Sequence, residues 1–244
     1  MGKGDSQNRA NHKAGCLVCG GELVYHDRYK SHQCFYCKRP YEANVACAAG
    51  HYVCDECHSL SAINLIRQFC TSSELTDPLQ MALTLMQHTA IKMHGPEHHF
   101  LVPAVLLAAY YNMKGDPAKK KEKIAEAEKR AKHVLGGFCG SHGDCGAAVG
   151  TGIFLSLITD ATPLSVDSWR LSNMMTARAL MSIAVHGGPR CCKRNTYLAI
   201  TEAVQFLKDN FNVQMHISSE IQCHFSPLNK ECLKEKCRFY PKAE

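Results

Sequence analysis

Apolar and polar positions divide the chain into stretches of different character. Residues 1–15 are polar and carry no periodic apolar face, so a disordered tail is expected there. Residues 16–58 are dense in cysteine, with Tyr25, Tyr29, Phe35, Tyr36, Tyr41 and Tyr52 interleaved and few aliphatic side chains. No helical period runs through them, and a segment so poor in aliphatic residues needs metal to hold itself together. From residue 59 apolar positions recur at three- and four-residue steps. This period predicts helices over 59–69, 78–93, 100–113, 117–135, 147–158, 166–185 and 194–210.

Start and stop signals support these helices. Asp77-Pro78 and Asp116-Pro117 each place a capping carboxylate before a proline at the first helical position, and Ser165 precedes another run. Gly136-Gly137 and Gly187-Gly188-Pro189 mark stops. Period-two runs of β-branched and aromatic residues are missing from this region, so the expected fold class is mainly α. The expected organisation is a small binuclear zinc module over 16–58, an all-α domain over 59–217 and a cysteine-rich, metal-tied tail over 218–244. Lys119 to Lys123 opens a mixed-charge helix and reads as a solvated face.

Composition adds limits to this picture. A length of 244 residues suits one medium domain plus a small one, with 45% apolar and 20% charged residues. A membrane span needs about 18 uninterrupted apolar residues, and the longest run, 100–111, is too short. The N-terminal residues lack the apolar core of a secretion signal, so a cytoplasmic location is expected. Fifteen cysteines in that setting point to metal ligation or redox chemistry rather than disulfides. The formal charge of +6 counts every cysteine as neutral. Seven thiolates and two zinc ions would change it by about −3, so charge gives little support for a nucleic-acid partner.

The first cysteine pair, Cys16 and Cys19, is separated by fourteen residues from the second, Cys34 and Cys37. Two such CxxC knuckles fit zinc, which takes four N or S ligands in a tetrahedron. Cys47, Cys54 and Cys57 with His51 or His58 supply the rest, enough for two Zn²⁺. Spacing leaves the pairing open between sequential and cross-braced. Closed sets of four leave no position for a substrate, which assigns this module to architecture or to docking a protein partner.

The later cysteines and histidines stand at predicted helix starts. His94, His98 and His99 precede one helix, Cys139 and Cys145 a second, and Arg190, Cys191 and Cys192 a third. A helix N-terminus offers unpaired N–H groups and partial positive charge, which favour a thiolate. If the three starts converge, Cys139, Cys145, Cys191 and Cys192 are the expected ligands or redox thiols. His98 and His99 would then be ligands or proton donors, His94 would line the same site, and Arg190 would hold an anionic substrate. Cys223, Cys232 and Cys237, with His224 nearby, suit a further metal corner. A [4Fe–4S] cluster or a third metal is the expected cofactor of the helical region.

Three resemblances attach to these residues. Cys47, His51, Cys54 and Cys57 resemble the latter half of RING- and PHD-like modules, which are cross-braced. Cys139-Gly140, then Cys145-Gly146 through Gly150, then Cys191-Cys192 look like the redox-associated proteins with a C-GCxxG-C-C pattern, with Asp144 standing where that pattern has glycine. The whole chain, with its HGPEHHF and GGPRCC segments, resembles a cysteine-rich family of anaerobic bacteria and methanogenic archaea, some of whose members are labelled methyltransferases. These resemblances imply an anaerobic context. The leading expectation is therefore a metalloprotein of anaerobic redox or sulfur chemistry. The alternatives are methyl or sulfur transfer by a zinc-bound thiolate, and a non-catalytic adaptor whose zinc module binds protein or RNA. No glycine-rich turn for a nucleotide-like cofactor, P-loop or Ser-His-Asp arrangement is present. Oligomeric state is left open.

Overall fold

A computed structural model describes residues 16, 18–19, 21–54, 57, 61–217 and 221–241 of the chain. The tail expected over 1–15, and His58, lie outside the described residues. The fold is mainly helical, as the periodicity predicts. Among the described residues one two-stranded sheet precedes eight α-helices.

Strands β1 (Leu23–Gln33) and β2 (Pro40–Cys47) form an antiparallel hairpin from Leu23↔Cys47 to Gln33↔Pro40. The register shifts between Tyr25 and Lys30. The sequence pattern does not announce these strands, because most of β1 is exposed on both faces and so lacks the alternation of a half-buried strand. Tyr25 and Tyr29 are left in solvent on its outer part. In the connection between the two strands, Cys34 bridges to Tyr52 and brings the second knuckle beside the segment that carries Cys54.

The helices are α1 (Ala62–Ser72), α2 (Pro78–Gln87), α3 (Glu97–Lys114), α4 (Pro117–Ala131), α5 (Phe138–Ser141), α6 (Gly146–Ile158), α7 (Asp167–Val185) and α8 (Cys192–Phe211). Asp77 caps α2 by accepting from the N–H groups of Leu79 and Gln80, and Asp116 caps α4 by accepting from that of Lys119. Ser165 does not cap α7. Its hydroxyl accepts from the N–H of Thr162 and closes the preceding turn.

Helix α3 is the central element and packs against α1, α2, α4, α6 and α8. It is apolar on every side from Phe100 to Ala109, the pattern of a helix enclosed by neighbours. It starts three residues earlier than the sequence period suggests, because Glu97 turns back to accept from the N–H of Lys92 at 2.8 Å and so continues the helix upstream of the apolar run. The module is seated on this core through its second knuckle. Tyr36, between Cys34 and Cys37, has no exposed surface and meets the ring of His88 edge-on at 5.1 Å. Its carbonyl accepts from the Ser72 hydroxyl at 2.9 Å.

Candidate metal centres

The module gathers its donors into two sets. Cys16, Cys19, Cys47 and His51 form one, and Cys34, Cys37, Cys54 and Cys57 the other, with the donor atoms of each within 4.8 Å of one another. The first pair thus joins the third group and the second joins the fourth. This arrangement is cross-braced. Cys19 Sγ and Cys47 Sγ lie 3.5 Å apart, Cys16 Sγ and His51 Nδ1 3.8 Å, and Cys37 Sγ and Cys54 Sγ 3.9 Å. A tetrahedral ion with metal–sulfur bonds of about 2.3 Å spaces its sulfurs by about 3.8 Å. Both sets could hold a metal ion.

Backbone N–H groups point at these sulfurs: Val18 at Cys16, Gly21 at Cys19, Ala49 at Cys47 and Cys54 at Cys34. The electrostatics within each set are divided. The Ala49 N–H, opposed by burial, helps bring Cys47 down to about 7. Cys37 also comes down to about 7, against the opposing effect of burial, through hydrogen bonds from Arg39 and its thiol neighbours. Cys57 is pushed up by burial and by the negative charge of Cys34 and Cys54. Four buried thiols therefore cannot all ionise together without a cation among them.

The three helix starts named by the sequence do meet. The His99 ring lies directly over Gly146, where an added Cβ would come within 2.2 Å of its Cδ2, and His99 Nδ1 is 2.9 Å from the carbonyl of Val134. The backbone N–H of Gly95 reaches the sulfur of Cys192. The side-chain amide of Asn195 donates to Cys145 Sγ at 3.4 Å. His98 is enclosed in the core, with Nδ1 3.1 Å from the Thr196 hydroxyl and Nε2 3.2 Å from the Lys92 carbonyl. His94 faces the C-terminal segment, 3.3 Å from Asn229 Oδ1 and 3.5 Å from the carboxylate of Glu231. His224 is exposed.

The seven later cysteines do not share one centre. Cys191, Cys223, Cys232 and Cys237 line a small recess with Met93, Tyr197, Phe225 and Phe239. Its volume is about 20 Å³, room for about one water molecule. Burial raises Cys191, against the N–H and charge of Arg194, and raises Cys223, which the charges of Cys191, Cys237 and Cys232 raise further. Cys139 and Cys145 instead line a cleft of about 830 Å³ formed with α7 and the start of α8. Cys192 is raised to about 11, chiefly by burial, and among the thiols Cys145 weighs on it most. Cys191 thus lines the recess, while its neighbour Cys192 lines neither the recess nor the cleft.

Two cations escaped the sequence reading. Lys193, 1% exposed, donates to the carbonyls of Met86 and Ile91 and lies 4.7 Å above the Phe225 ring. Arg194, 5% exposed, donates to the carbonyls of Gly187 and Pro189 and lines both the recess and the cleft. Buried charge is costly unless opposite charge stands near it. Burial pulls Lys193 down to about 7, against the charge of Glu97, which leaves Arg194 as the cation that lines the four-thiol recess. The signal was present in the sequence, since both follow the cysteine pair directly, but nothing there distinguished them from surface residues of an amphipathic helix.

Residues 66–240 match the profile of a family of unknown function (DUF5714), and the chain belongs to that family. No curated protein and no solved structure matches it. Among the described residues no helix is long and apolar enough to cross a membrane.

Proposed function

We propose that this chain is a metalloprotein of anaerobic redox or sulfur chemistry, with two zinc ions in the N-terminal module and a [4Fe–4S] cluster on Cys191, Cys223, Cys232 and Cys237. The observation that carries the reading is the four-thiol recess. Among the described residues the two module sets are the groups of three or more donors within 4.8 Å of one another, so the recess sulfurs are spread more widely than a single ion would hold them. Four thiols around one recess suit an occupant bonded directly to sulfur. Arg194, in the wall of the recess, offsets the negative charge of such a centre and favours its reduced form. The cluster would carry single electrons.

Zinc fits the module for a complementary reason. Its donors are already at single-ion spacing, and closed sets of three cysteines and a histidine, or of four cysteines, are structural zinc ligand sets. The module then acts as architecture and, through the exposed Tyr25 and Tyr29, as a surface for a protein partner. A reducing cytoplasm suits so many unpaired thiols. The alternative of methyl or sulfur transfer by a zinc-bound thiolate is favoured by one observation, the opening of Cys139 and Cys145 onto a cleft large enough for a substrate.

The test is purification of the full chain under anaerobic conditions, with iron, sulfide and zinc analysis and electron paramagnetic resonance after dithionite reduction. About two zinc ions, with iron and sulfide in equal amounts and a signal from a reduced cluster, are expected. Zinc alone, after reconstitution with iron and sulfide has also failed, overturns the cluster.

A further inference from the structure

Six arginines stand between residues 61 and 217. Four of them face carboxylates: Arg67 faces Glu128, Arg130 faces Glu126, Arg170 faces Asp167, and Arg178 faces both Glu202 and Asp209. Arg190 and Arg194 enter no ion pair among the described residues. These same two arginines stand in the wall of the large cleft. Arg194 is buried, and a buried guanidinium is costly to leave unopposed. Its Nη2 donates to the carbonyls of Gly187 and Pro189 and its Nε to Oδ1 of Asn195, which fixes the plane of the group. Glu231, in the wall of the neighbouring recess, faces His94 instead. Arg190 is exposed and lines the cleft but not the recess.

The rest of the cleft limits the kind of anion that would answer these charges. Its volume, about 830 Å³, is far more than an inorganic ion fills and suits an organic molecule. No carboxylate lines the space. Part of its wall is the apolar side of α7, with Ala177, Leu180, Met181 and Ile183. Met181 is 65% exposed, an apolar side chain left uncovered at a concave surface. Five glycines contribute backbone to the remaining wall. One of them, Gly140 in the short α5, has neither a positive φ nor a described neighbour within 4 Å of where a Cβ would stand. The fold asks for no glycine there, whereas close approach of a ligand to the backbone does.

We propose that this cleft binds an organic anion, a carboxylate or phosphate carried on an apolar body, with Arg190 and Arg194 at the anionic group and α7 along the body. Carboxylate and phosphate share the feature that a guanidinium recognises, two oxygens placed to accept from its paired N–H donors. The exposed thiol of Cys139 borders the same space, so a bound anion shields it. The site does not depend on the metal of the recess, because Arg190 and the α7 wall belong to the cleft and not to the recess.

The test is calorimetric titration of the full chain, purified anaerobically with its metals, with octanoate, octyl phosphate, octanol and octyltrimethylammonium. One equivalent of octanoate or octyl phosphate should bind, octanol should bind at least about tenfold more weakly, and the cation should not bind. The tighter of the two anions identifies the head group. Arg190→Gln should weaken anion binding about tenfold, and Met181→Glu, which sets a carboxylate in the apolar wall, should abolish it. Both positions are exposed, so these variants keep the fold, and Arg170→Gln, at an arginine outside the cleft, should bind as the parent does. The bound anion should also slow alkylation of Cys139, followed by mass spectrometry. Failure of both anions to bind at millimolar concentration overturns the proposal, as does binding that octanol matches or that Arg190→Gln and Met181→Glu leave intact. Tight binding with Cys139 alkylated as fast as before places the anion elsewhere and equally overturns the site. None of these outcomes bears on the iron–sulfur centre, which iron and sulfide content decides separately.

Discussion

Tyr36 stands edge-on against Phe69, with ring centroids 5.9 Å apart and planes inclined at 66°. One ring belongs to the loop between Cys34 and Cys37 of a candidate metal set, and the other to the first helix of the helical region. The contact joins a metal set to a hydrophobic core. Tyr36→Ala should destabilise the metal-loaded protein by about 3–5 kcal/mol, since a large buried ring is lost. Tyr36→Phe should be as stable as the parent or more so, because the buried Tyr36 hydroxyl has no hydrogen-bond partner among the described residues. Denaturant midpoints of the three proteins check this.

Cross-bracing predicts which double variants lose one ion and which lose two. Cys19 and Cys47 belong to the same set, so C19S/C47S should retain about one zinc of two. Cys19 and Cys37 belong to different sets, so C19S/C37S should lose both. Native mass spectrometry reads the ion count directly. Sequential pairing would reverse the two results.

His98 makes stability depend on pH. Burial, then the charge of Lys193, pulls its imidazole down to about 3, with smaller contributions from His99 and His94, against the Lys92 carbonyl, which favours the charged form. The ring is neutral in the folded chain but protonates near 6.5 once unfolded. Its contribution is therefore complete above pH 6.5 and is lost progressively as pH falls toward 3, with about 2 kcal/mol gone by pH 5. His98→Gln should reduce the fall in denaturant midpoint between pH 7 and pH 5 by that amount. Parallel curves for the two proteins would show that His98 is not the group responsible.

Gly146 and Gly136 should respond differently to the same added methyl. At Gly146 it collides with His99 at 2.2 Å, so the ring must leave and release the Val134 carbonyl. Gly146→Ala should cost about 1–3 kcal/mol, and it should make Cys145, the preceding residue, faster to alkylate. Gly136 has open space around its Cβ position, and Gly136→Ala should leave both properties unchanged. Thermal midpoints and alkylation followed by mass spectrometry provide the readout.

The helices were legible because their apolar period and proline-preceding caps are local properties, and Asp77 and Asp116 act as the sequence suggests. The hairpin was not, since its outer strand is exposed on both faces and has no alternation to read. The pairing of the module's cysteines could not be read from spacing, because sequential and cross-braced sets need the same intervals. At the later cysteines, the meeting of three helix starts stood only as a condition, and their division between a recess and a cleft was not foreseen. Cys191 is the extended N-cap residue of α8 and Cys192 its first helical residue, so the two side chains leave the backbone in different directions. Which neighbours they meet depends on where the C-terminal segment and α6 dock.

The position of Tyr36 has a consequence for the order of events during synthesis. The module leaves the ribosome before the helices, and its cysteines can take up metal while α3 is still unmade. Phe69 and His88 then emerge toward a knuckle already shaped to receive them. When metal is scarce they emerge toward a loose loop, and the lower part of the helical core stays open to solvent. The supply of metal would thus decide, chain by chain, whether the helical region matures or is left for degradation, before any later centre is filled.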